Sequence, residues 1–313
     1  MAKNKKNKKN NKKMNRSFSI FLKILLAVFI LLLIASLMKT CIDCRNVRRC
    51  ITILDQTGYL PEKENWDVIP NVVPPYDDKD FDSLADKVSL EAFFPPIGDQ
   101  GEYGTCVAWS VGYNLKTALN AIDNHWTQAQ LADPANQTSP KDLWMGIPLD
   151  KKGPSCRGTG FAAAFNVLMN EGVSNMARVP YKQLGNCQGS IEGDTTNRIV
   201  SYNHVVSSTD GKPTVEQLKA YLHDTIPLAF SAKLGYAFKE WNSDRTLRQD
   251  NYLMRGEDHA YHAMVLVGYD DSRQAFRVRN SWGEDWGDHG SIWIDYTFFI
   301  DQFLDAVFMA KNH

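Results

Sequence analysis

Cys106 stands where a loop gives way to an apolar segment. Residues 95–104 are rich in Gly and Pro, whereas the residues after Cys106 carry regularly spaced apolar side chains and no proline over a helix length. This pattern predicts a loop that enters a buried helix at Thr105 and Cys106. A thiol in the first helical turn faces the positive end of the helix dipole, which favours the thiolate and lowers the thiol pKa. The position by itself is equally compatible with an inert buried cysteine.

A thiolate nucleophile needs a histidine as base or counter-ion, and His262 has a suitable context. It directly precedes the apolar run 263–267, which ends at Gly268. This pattern is typical of a buried strand with the imidazole at its N-terminal end. His259 is the rival, but the polar residues 256–258 before it predict a loop. The remaining histidines lack such a context and are interpreted as surface or internally bonded residues: His125, His204, His223, His289 and His313.

A third segment carries an amide that could orient the imidazole. Residues 275–279 alternate like a half-exposed strand and run into Asn280. The amide carbonyl of Asn280 can accept the far ring N–H and fix the tautomer. Trp282 and Trp286 can exclude water from that hydrogen bond. An isolated Asn-Ser pair would be interpreted as a turn.

Together and in this order, with Gln100 ahead of Cys106, these segments resemble the papain-like (C1-type) cysteine peptidases over residues 88–310. The resemblance implies that Cys106 is the nucleophile and His262 its thiolate–imidazolium partner. It also implies that Asn280 orients the ring and that Gln100 is an oxyanion-hole donor beside the backbone N–H of Cys106. The reaction would be peptide hydrolysis through a thioester acyl-enzyme.

The resemblance also selects His262 over His259, because the family places the catalytic histidine at a fixed distance before the strand-closing glycine. The substrate-binding residues that it implies are Gly158, Gly160, Trp282 and Trp286. The two glycines would let the substrate backbone approach closely, and the tryptophans would cover the His–Asn bond and the leaving-group side. Cys156 and Cys187 are the implied disulfide pair.

The implied fold is α+β, with two papain-like lobes and a cleft between them, preceded by one transmembrane helix. A helical lobe (91–198) would carry the nucleophile and a β-barrel-like lobe (199–313) the other two catalytic side chains. The chain departs from the family pattern at Tyr103 and Val107, which affects specificity more than activity. It also lacks the helical propeptide signature, so inhibition by a folded propeptide is not expected, and the short stem is no substitute for one.

The N-terminus predicts a membrane anchor ahead of a peptidase domain at 91–313. Residues 1–17 form a basic tail without acids, and 18–38 are apolar apart from Lys23 and long enough to span a bilayer. A cleaved signal peptide is the alternative to a signal anchor, but no small-x-small cleavage site follows the run. The positive-inside rule then places the N-terminus in the cytoplasm and the catalytic domain outside, in the periplasm or on the cell surface, as in a membrane-anchored, bacterial-type family member.

Residues 39–90 are predicted to form a stem. Their prolines and following acids are typical of an extended spacer with little structure of its own. Three cysteines lie at its membrane end: Cys41, Cys44 and Cys50. A local or intersubunit disulfide is favoured there over a metal or redox site.

Composition narrows the possible partners. The net charge of −1 divides into about +12 over residues 1–50 and −13 over the remainder, so a uniformly basic nucleic-acid binder is excluded. No metal or phosphate motif is present, and the chemistry needs no cofactor. The expected partners are a peptide or protein substrate and a membrane. Two alternatives remain open: a transpeptidase or amine acyltransferase using the same thiol, and a catalytically silent peptide-binding homologue.

Overall fold

The computed structural model describes residues 57–61, 69–182, 184, 187, 189–207, 211–251 and 260–312. The predicted basic tail and transmembrane segment lie outside these ranges, as do His259 and the three stem cysteines, Cys41, Cys44 and Cys50. Within the described ranges, no helix combines the length and apolar character needed to cross a bilayer.

A continuous helix over residues 106–124, the central helix, is the longest in the described chain. It begins as Cys106–Ala108, continues as the π-helical stretch Trp109–Lys116 and ends as Thr117–Asn124. The predicted helix start at Cys106 is therefore confirmed. The other α-helices are Asp78–Phe81, Gln128–Leu131, Pro140–Gly146, Phe161–Asn170, Val215–His223, Tyr236–Lys239 and Tyr296–Phe298. Shorter turns of helix are Glu91–Phe93, Pro134–Asn136, Leu149–Lys151, Pro154–Cys156 and Phe299–Phe303.

Side-chain caps explain where two of the helices start. The Ser139 hydroxyl accepts the backbone N–H of Asp142 at 3.1 Å, and a proline at the first helical position suits the fixed φ of that site. Thr214 and Gln217 form a reciprocal capping box.

Nine strands of the described chain form one sheet, in the order β1-β3-β9-β4-β6-β7-β8-β5, with β2 also paired to β6. The strands are β1 Asn71–Val72, β2 Lys87–Ser89, β3 Ser201–Val205, β4 Leu228–Leu234, β5 Thr246–Leu247, β6 Ala260–Asp270, β7 Ala275–Arg279, β8 Ser291–Asp295 and β9 Leu304–Lys311. The helices before residue 171 and the strands after residue 200 follow the order predicted for the two lobes. The lobe boundary at 198–199 stays a prediction.

Strand β6 confirms the buried strand predicted to start at His262. It lies between β4 and β7, and His262 pairs with Ala232 of β4. The central helix packs against the same strand, since the Ser110 hydroxyl donates to the Met264 carbonyl at 2.8 Å. This contact fixes the helix that begins with Cys106 against the strand that carries His262.

Strand β7 is buried along its whole length, so the prediction of a half-exposed strand is wrong. Its two arginines are buried because distant groups bond to them. Arg277 reaches Glu91 at 3.0 Å and Asp288 at 2.8 Å, and the guanidinium of Arg279 donates to the Asn114 side chain at 3.1 Å. Paired and hydrogen-bonded charges can be buried where isolated charges cannot.

Part of the interval predicted as a stem belongs to the sheet. β1 pairs with β3 and β2 pairs with β6, while Ile69 and Leu90 are buried at 3% exposure each. The prediction of a spacer with little structure is therefore wrong for residues 69–90. The prolines and acids of this interval leave apolar residues between them, and these find partners in the sheet.

Candidate active site

Cys106 is fully buried at the start of the central helix. Burial raises the pKa of its thiol to about 12, although the backbone N–H groups of Ala263, Val107, Cys106 and Gly58 point to the sulfur and act in the opposite direction. The expectation of a lowered thiol pKa is wrong for this closed arrangement. Desolvation outweighs the helix dipole because little water reaches the sulfur.

His262 is also fully buried and is fixed by Asn280. Its Nε2 lies 2.7 Å from Asn280 Oδ1, and the same oxygen accepts the backbone N–H of Ser281 at 2.8 Å. Since Oδ1 is an acceptor, Nε2 carries the proton in the neutral ring and Nδ1 carries the lone pair. Nδ1 is buried and has no hydrogen-bond partner among the described residues. Burial lowers the pKa of His262 to about 4, and the bond to Asn280 opposes that shift.

The two predicted tryptophans lie on one side of this histidine. The ring of Trp282 is 4.7 Å from the imidazole, and Trp286 meets Trp282 edge-on at 5.5 Å. The indole N–H of Trp286 donates to the Lys239 carbonyl at 3.1 Å. Trp282 therefore packs against the imidazole that Asn280 orients, and Trp286 packs against Trp282.

Gln100 is buried and its amide has a fixed orientation. Its Oε1 accepts the Ser281 hydroxyl at 2.7 Å, and its Nε2 donates to the Tyr103 carbonyl at 2.8 Å. The backbone N–H of Gln100 donates to the Ser281 carbonyl at 2.9 Å. The amide nitrogen is thereby turned toward the loop that leads into Cys106. Ser281 joins this amide to Asn280, a role that sequence reasoning missed.

The loop carrying the implied substrate glycines is held by several contacts. The structure contains the Cys156–Cys187 disulfide that the resemblance implies. Lys152 is buried, its Nζ donates to the Cys187 carbonyl at 2.8 Å, and the Gly158 N–H donates to the Lys152 carbonyl at 3.2 Å. Gly160 is the cap residue of the helix Phe161–Asn170.

A short segment of the chain lies across this site. We call residues 57–61 the strap. The Gly58 carbonyl accepts the Thr159 N–H at 2.8 Å, and the Leu60 N–H donates to the Thr159 carbonyl at 3.0 Å. The N–H groups of Gly58 and Tyr59 each lie 3.4 Å from the Tyr261 carbonyl. Sequence reasoning assigned the strap to the stem, and the only signal for it was an aromatic–leucine pair in a polar stretch.

No group of three or more histidine, cysteine or acidic side chains in the described chain is arranged to hold a metal ion. The candidate site contains the Cys106 thiol, the His262 imidazole and the side-chain amides of Gln100 and Asn280.

Comparison with known proteins follows this geometry. Residues 81–298 match the family described as papain family cysteine protease. Cathepsin L 2 of Paramecium tetraurelia is 27% identical over 201 residues, which is 64% of this chain and 55% of that protein. Vignain of Phaseolus vulgaris is 27% identical over 223 residues, which is 69% of this chain and 55% of that protein. The chain thus spans about half the length of the curated relatives it matches.

Among solved structures, the chain resembles the crystal structure of xylellain, described as a cysteine protease from Xylella fastidiosa. The TM-score is 0.63 at 22% sequence identity, and the match covers 83% of this chain and 97% of that chain. The predicted papain-like α+β fold is confirmed. Because the family match extends over well more than half of the sequence, the chain belongs to the papain family of cysteine proteases.

Proposed function

We propose that the protein is a cysteine peptidase that hydrolyses peptide bonds through a thioester at Cys106. One observation carries this proposal. The Nε2 edge of His262 is bonded to Asn280, which leaves the Nδ1 lone pair as the basic atom of the ring. The backbone N–H of the next residue, Ala263, faces the Cys106 sulfur and acts to lower the pKa of its thiol. An oriented base beside a thiol is the arrangement that nucleophilic catalysis requires.

In the reaction, His262 Nδ1 takes the thiol proton and the Cys106 sulfur attacks the substrate carbonyl carbon. The backbone N–H of Cys106 and the Gln100 amide donate to the resulting oxyanion, and one such donor lowers the barrier by roughly 3 kcal/mol. The protonated imidazole then gives its proton to the leaving amine, and the thioester forms as the C–N bond breaks. Water, deprotonated by the same ring, hydrolyses the thioester and restores the thiol.

The substrate is a peptide or protein whose backbone lies along the loop at Gly158 and Thr159. The two peptide groups of Thr159 can pair with an extended chain, as they do with the strap. Trp282 excludes water from the imidazole–amide bond during turnover. Trp286 supports that tryptophan next to the leaving-group side.

The test is the Cys106→Ala variant. We expect an unchanged circular dichroism spectrum and melting temperature, with loss of casein and fluorogenic dipeptide hydrolysis by about 10⁴-fold or more, because the nucleophile is removed. Cys50→Ala serves as the matched control and should keep wild-type turnover. Equal turnover by wild type and Cys106→Ala would refute the proposal.

We also propose that residues 18–38 anchor the protein in a membrane, with the basic tail cytoplasmic and the catalytic domain outside. The disulfide at Cys156 and Cys187 supports an oxidising compartment. N-terminal sequencing of membrane-extracted protein tests this placement together with protease accessibility of the domain in intact cells. A soluble, N-terminally complete protein would contradict the anchor.

A further inference from the structure

A second pocket lies at the end of the central helix that is remote from Cys106. Its volume is about 250 Å³, and its walls come from the end of that helix, the turns that follow it and residues between 175 and 197. Cys106 and Asn120 belong to the same helix, and their spacing corresponds to roughly 20 Å along its axis. The pocket is therefore separate from the candidate active site. Six of its lining residues carry side-chain amides: Asn120, Asn124, Asn136, Gln137, Asn175 and Asn197.

The back wall of the pocket is fixed by a chain of hydrogen bonds that starts at a buried lysine. Lys116 is 2% exposed, and its Nζ donates to Asn120 Oδ1 at 2.5 Å and to Asn312 Oδ1 at 3.0 Å. Asn120 Nδ2 donates to Asn197 Oδ1 at 2.9 Å, and Asn197 Nδ2 donates to the Val173 carbonyl at 2.7 Å. Because both ends of each amide are bonded, this wall keeps one arrangement.

Three amides in front of this wall each keep one polar atom for a ligand. The nitrogens of Asn124, Asn136 and Gln137 donate to backbone carbonyls at 2.8, 2.9 and 2.8 Å respectively. A carbonyl can only accept, so these bonds identify which end of each amide is the nitrogen. The three side-chain oxygens make no other bond within the described chain. They are therefore acceptors available to a molecule in the pocket.

The remaining wall adds one donor and one carboxylate oxygen. Asn175 Oδ1 accepts the Arg178 N–H at 3.1 Å, so its amide nitrogen is the atom left for a ligand. Asp194 Oδ1 accepts both the N–H and the hydroxyl of Thr196, at 2.9 and 2.6 Å, which leaves its Oδ2. Acceptors thus outnumber donors. This excess suits a ligand with several hydroxyl groups, each of which can donate and accept.

The charge of the lining narrows the ligand class further. Among the described residues that line the pocket, Asp194 is the only acid and none is basic. A calcium ion takes about six to eight oxygen ligands and binds tightly only where several of them are carboxylates. An anion would meet a carboxylate with no basic residue beside it in the lining. The pocket therefore fits an uncharged polar molecule best.

Trp126 supplies an apolar surface beside these polar groups. His125 ends the central helix in the left-handed conformation, with φ 52°, and the Trp126 N–H turns back to the Ala121 carbonyl at 3.0 Å. This C-terminal motif fixes the direction in which the chain leaves the helix. The indole of Trp126 lines the pocket and remains partly exposed. A ligand in the pocket can thus cover an aromatic ring with an apolar face.

We propose that this pocket binds one pyranose ring of a neutral saccharide. The hydroxyl groups of such a ring match the oriented amides, and its C–H face matches the indole. The pocket is slightly smaller than the roughly 300 Å³ at which sites for drug-sized ligands begin, which suits a single ring. The ring can belong to a glycan on a protein substrate or to a cell-surface polysaccharide, which share this chemistry. The proposal does not depend on the proposed peptidase function, because binding requires no reaction at Cys106.

The experiment measures binding of the methyl glycosides of glucose, mannose, galactose and N-acetylglucosamine to the full-length protein by saturation-transfer NMR and titration. We expect at least one of them to bind, and N-acetylneuraminic acid to bind at least tenfold more weakly because of its carboxylate. Trp126→Ala should weaken binding about tenfold by removing the stacking surface. Ala135→Phe, which adds a ring at an exposed lining position without deleting a hydrogen-bonding side chain, should abolish binding. Ala132→Phe is the matched control at an exposed alanine outside the lining, and it should bind like the wild type.

Two further measurements distinguish the source of the sugar. Faster hydrolysis of a high-mannose glycoprotein than of its deglycosylated form, lost in Ala135→Phe, would identify a substrate glycan. Sedimentation of the protein with an insoluble polysaccharide, also lost in Ala135→Phe, would identify a cell-surface polymer.

The proposal is overturned if no neutral glycoside binds, or if Trp126→Ala and Ala135→Phe bind with wild-type affinity. Hydrolysis of a fluorogenic dipeptide should be the same in the wild type and in all three variants, since the pocket is remote from Cys106. Absence of dipeptide hydrolysis from the wild type, with sugar binding intact, would count against the peptidase function alone.

Discussion

The two edges of the His262 ring meet different surroundings. Its Nε2 edge is bonded to Asn280, whose oxygen is in turn fixed by Ser281, whereas its Nδ1 edge has no hydrogen-bond partner among the described residues. On the side of the sulfur, the strap covers Cys106 with the N–H of Gly58. The orienting half of the site is thus assembled in advance, while the reacting half is closed.

The same difference explains the charge state of the pair. Burial raises the pKa of Cys106 to about 12 and lowers the pKa of His262 to about 4, so both groups are neutral near pH 7. A thiolate–imidazolium pair needs solvent or substrate dipoles to stabilise its two charges. We therefore expect the ion pair to belong to the open site and the neutral pair to the site beneath the strap.

The largest effect on the assembled half is expected from Gln100→Ala. In the proposed mechanism its amide is one donor to the oxyanion, so its removal should lower kcat by about 10²- to 10³-fold, with little change in KM. Steady-state kinetics of the wild type and the variant check this prediction.

Gln137→Ala is the matched control. Gln137 is also a buried amide that donates to a backbone carbonyl, that of Leu131 at 2.8 Å, but it lies outside the site. The kcat of Gln137→Ala should remain that of the wild type. A similar loss of kcat in both variants would mean that Gln100 acts on folding and not on the oxyanion.

The next effect concerns the partner that orients the imidazole. Asn280→Ala removes the 2.7 Å bond to Nε2 and should lower kcat by about 10- to 100-fold, because the ring loses its tautomer and its angle. Asn197→Ala, which removes an amide bonded to the Val173 carbonyl at 2.7 Å, is the control and should keep kcat. An unchanged kcat in Asn280→Ala would show that packing by Trp282 is enough to orient the ring.

The closed half is tested by the pH dependence of Cys106 alkylation. With a thiol pKa raised to about 12, the thiolate is a small minority at pH 8, so the wild-type rate should increase about tenfold per pH unit from pH 7 to 10 without a plateau. In Gly58→Ala, reduced burial of the sulfur should lower the pKa of the Cys106 thiol by about one unit or more, so the alkylation rate should reach its plateau at a lower pH. A wild-type plateau below pH 8 would contradict the raised pKa of the buried Cys106 thiol.

The assembled half was largely predictable from the sequence, since its signals are local. The helix start at Cys106 and the strand from His262 each depend on a few adjacent residues. The relation between segments came from their resemblance to a known family. Ser281 was missed because its hydroxyl bond to Gln100 joins positions that are distant in sequence.

The closed half could not be predicted, because it depends on contacts between residues that are distant in sequence, as the Ser281 bond does. The backbone of Gly58 lies in close contact with the backbones of Gly104 and Gly158. No local sequence pattern marks these three distant glycines as neighbours. The raised pKa of Cys106 likewise depends on what covers the sulfur. Arg279 was expected at the surface of a half-exposed strand, but its partner Asn114 comes from the central helix.

The smallest effect is expected at Ser281, which joins the two amides of the assembled half. Ser281→Ala removes the 2.7 Å bond to Gln100 Oε1, and we expect kcat to fall about 5-fold with KM unchanged, the size of one neutral hydrogen bond. Ser281→Thr, which keeps a hydroxyl, should restore part of the loss. Ser174→Ala, at another buried serine, should have no effect on kcat.

A double-mutant cycle separates positioning from general stability at this residue. If Ser281 acts by holding the Gln100 amide, then Ser281→Ala should cause no further loss of kcat in the Gln100→Ala background, because the group that it holds is gone. Additive losses would mean that the Ser281 hydroxyl acts on kcat by a route other than the Gln100 amide, since the backbone N–H that bonds to Asn280 is kept in Ser281→Ala. The cycle therefore decides whether Ser281 acts on catalysis through the Gln100 amide or independently of it.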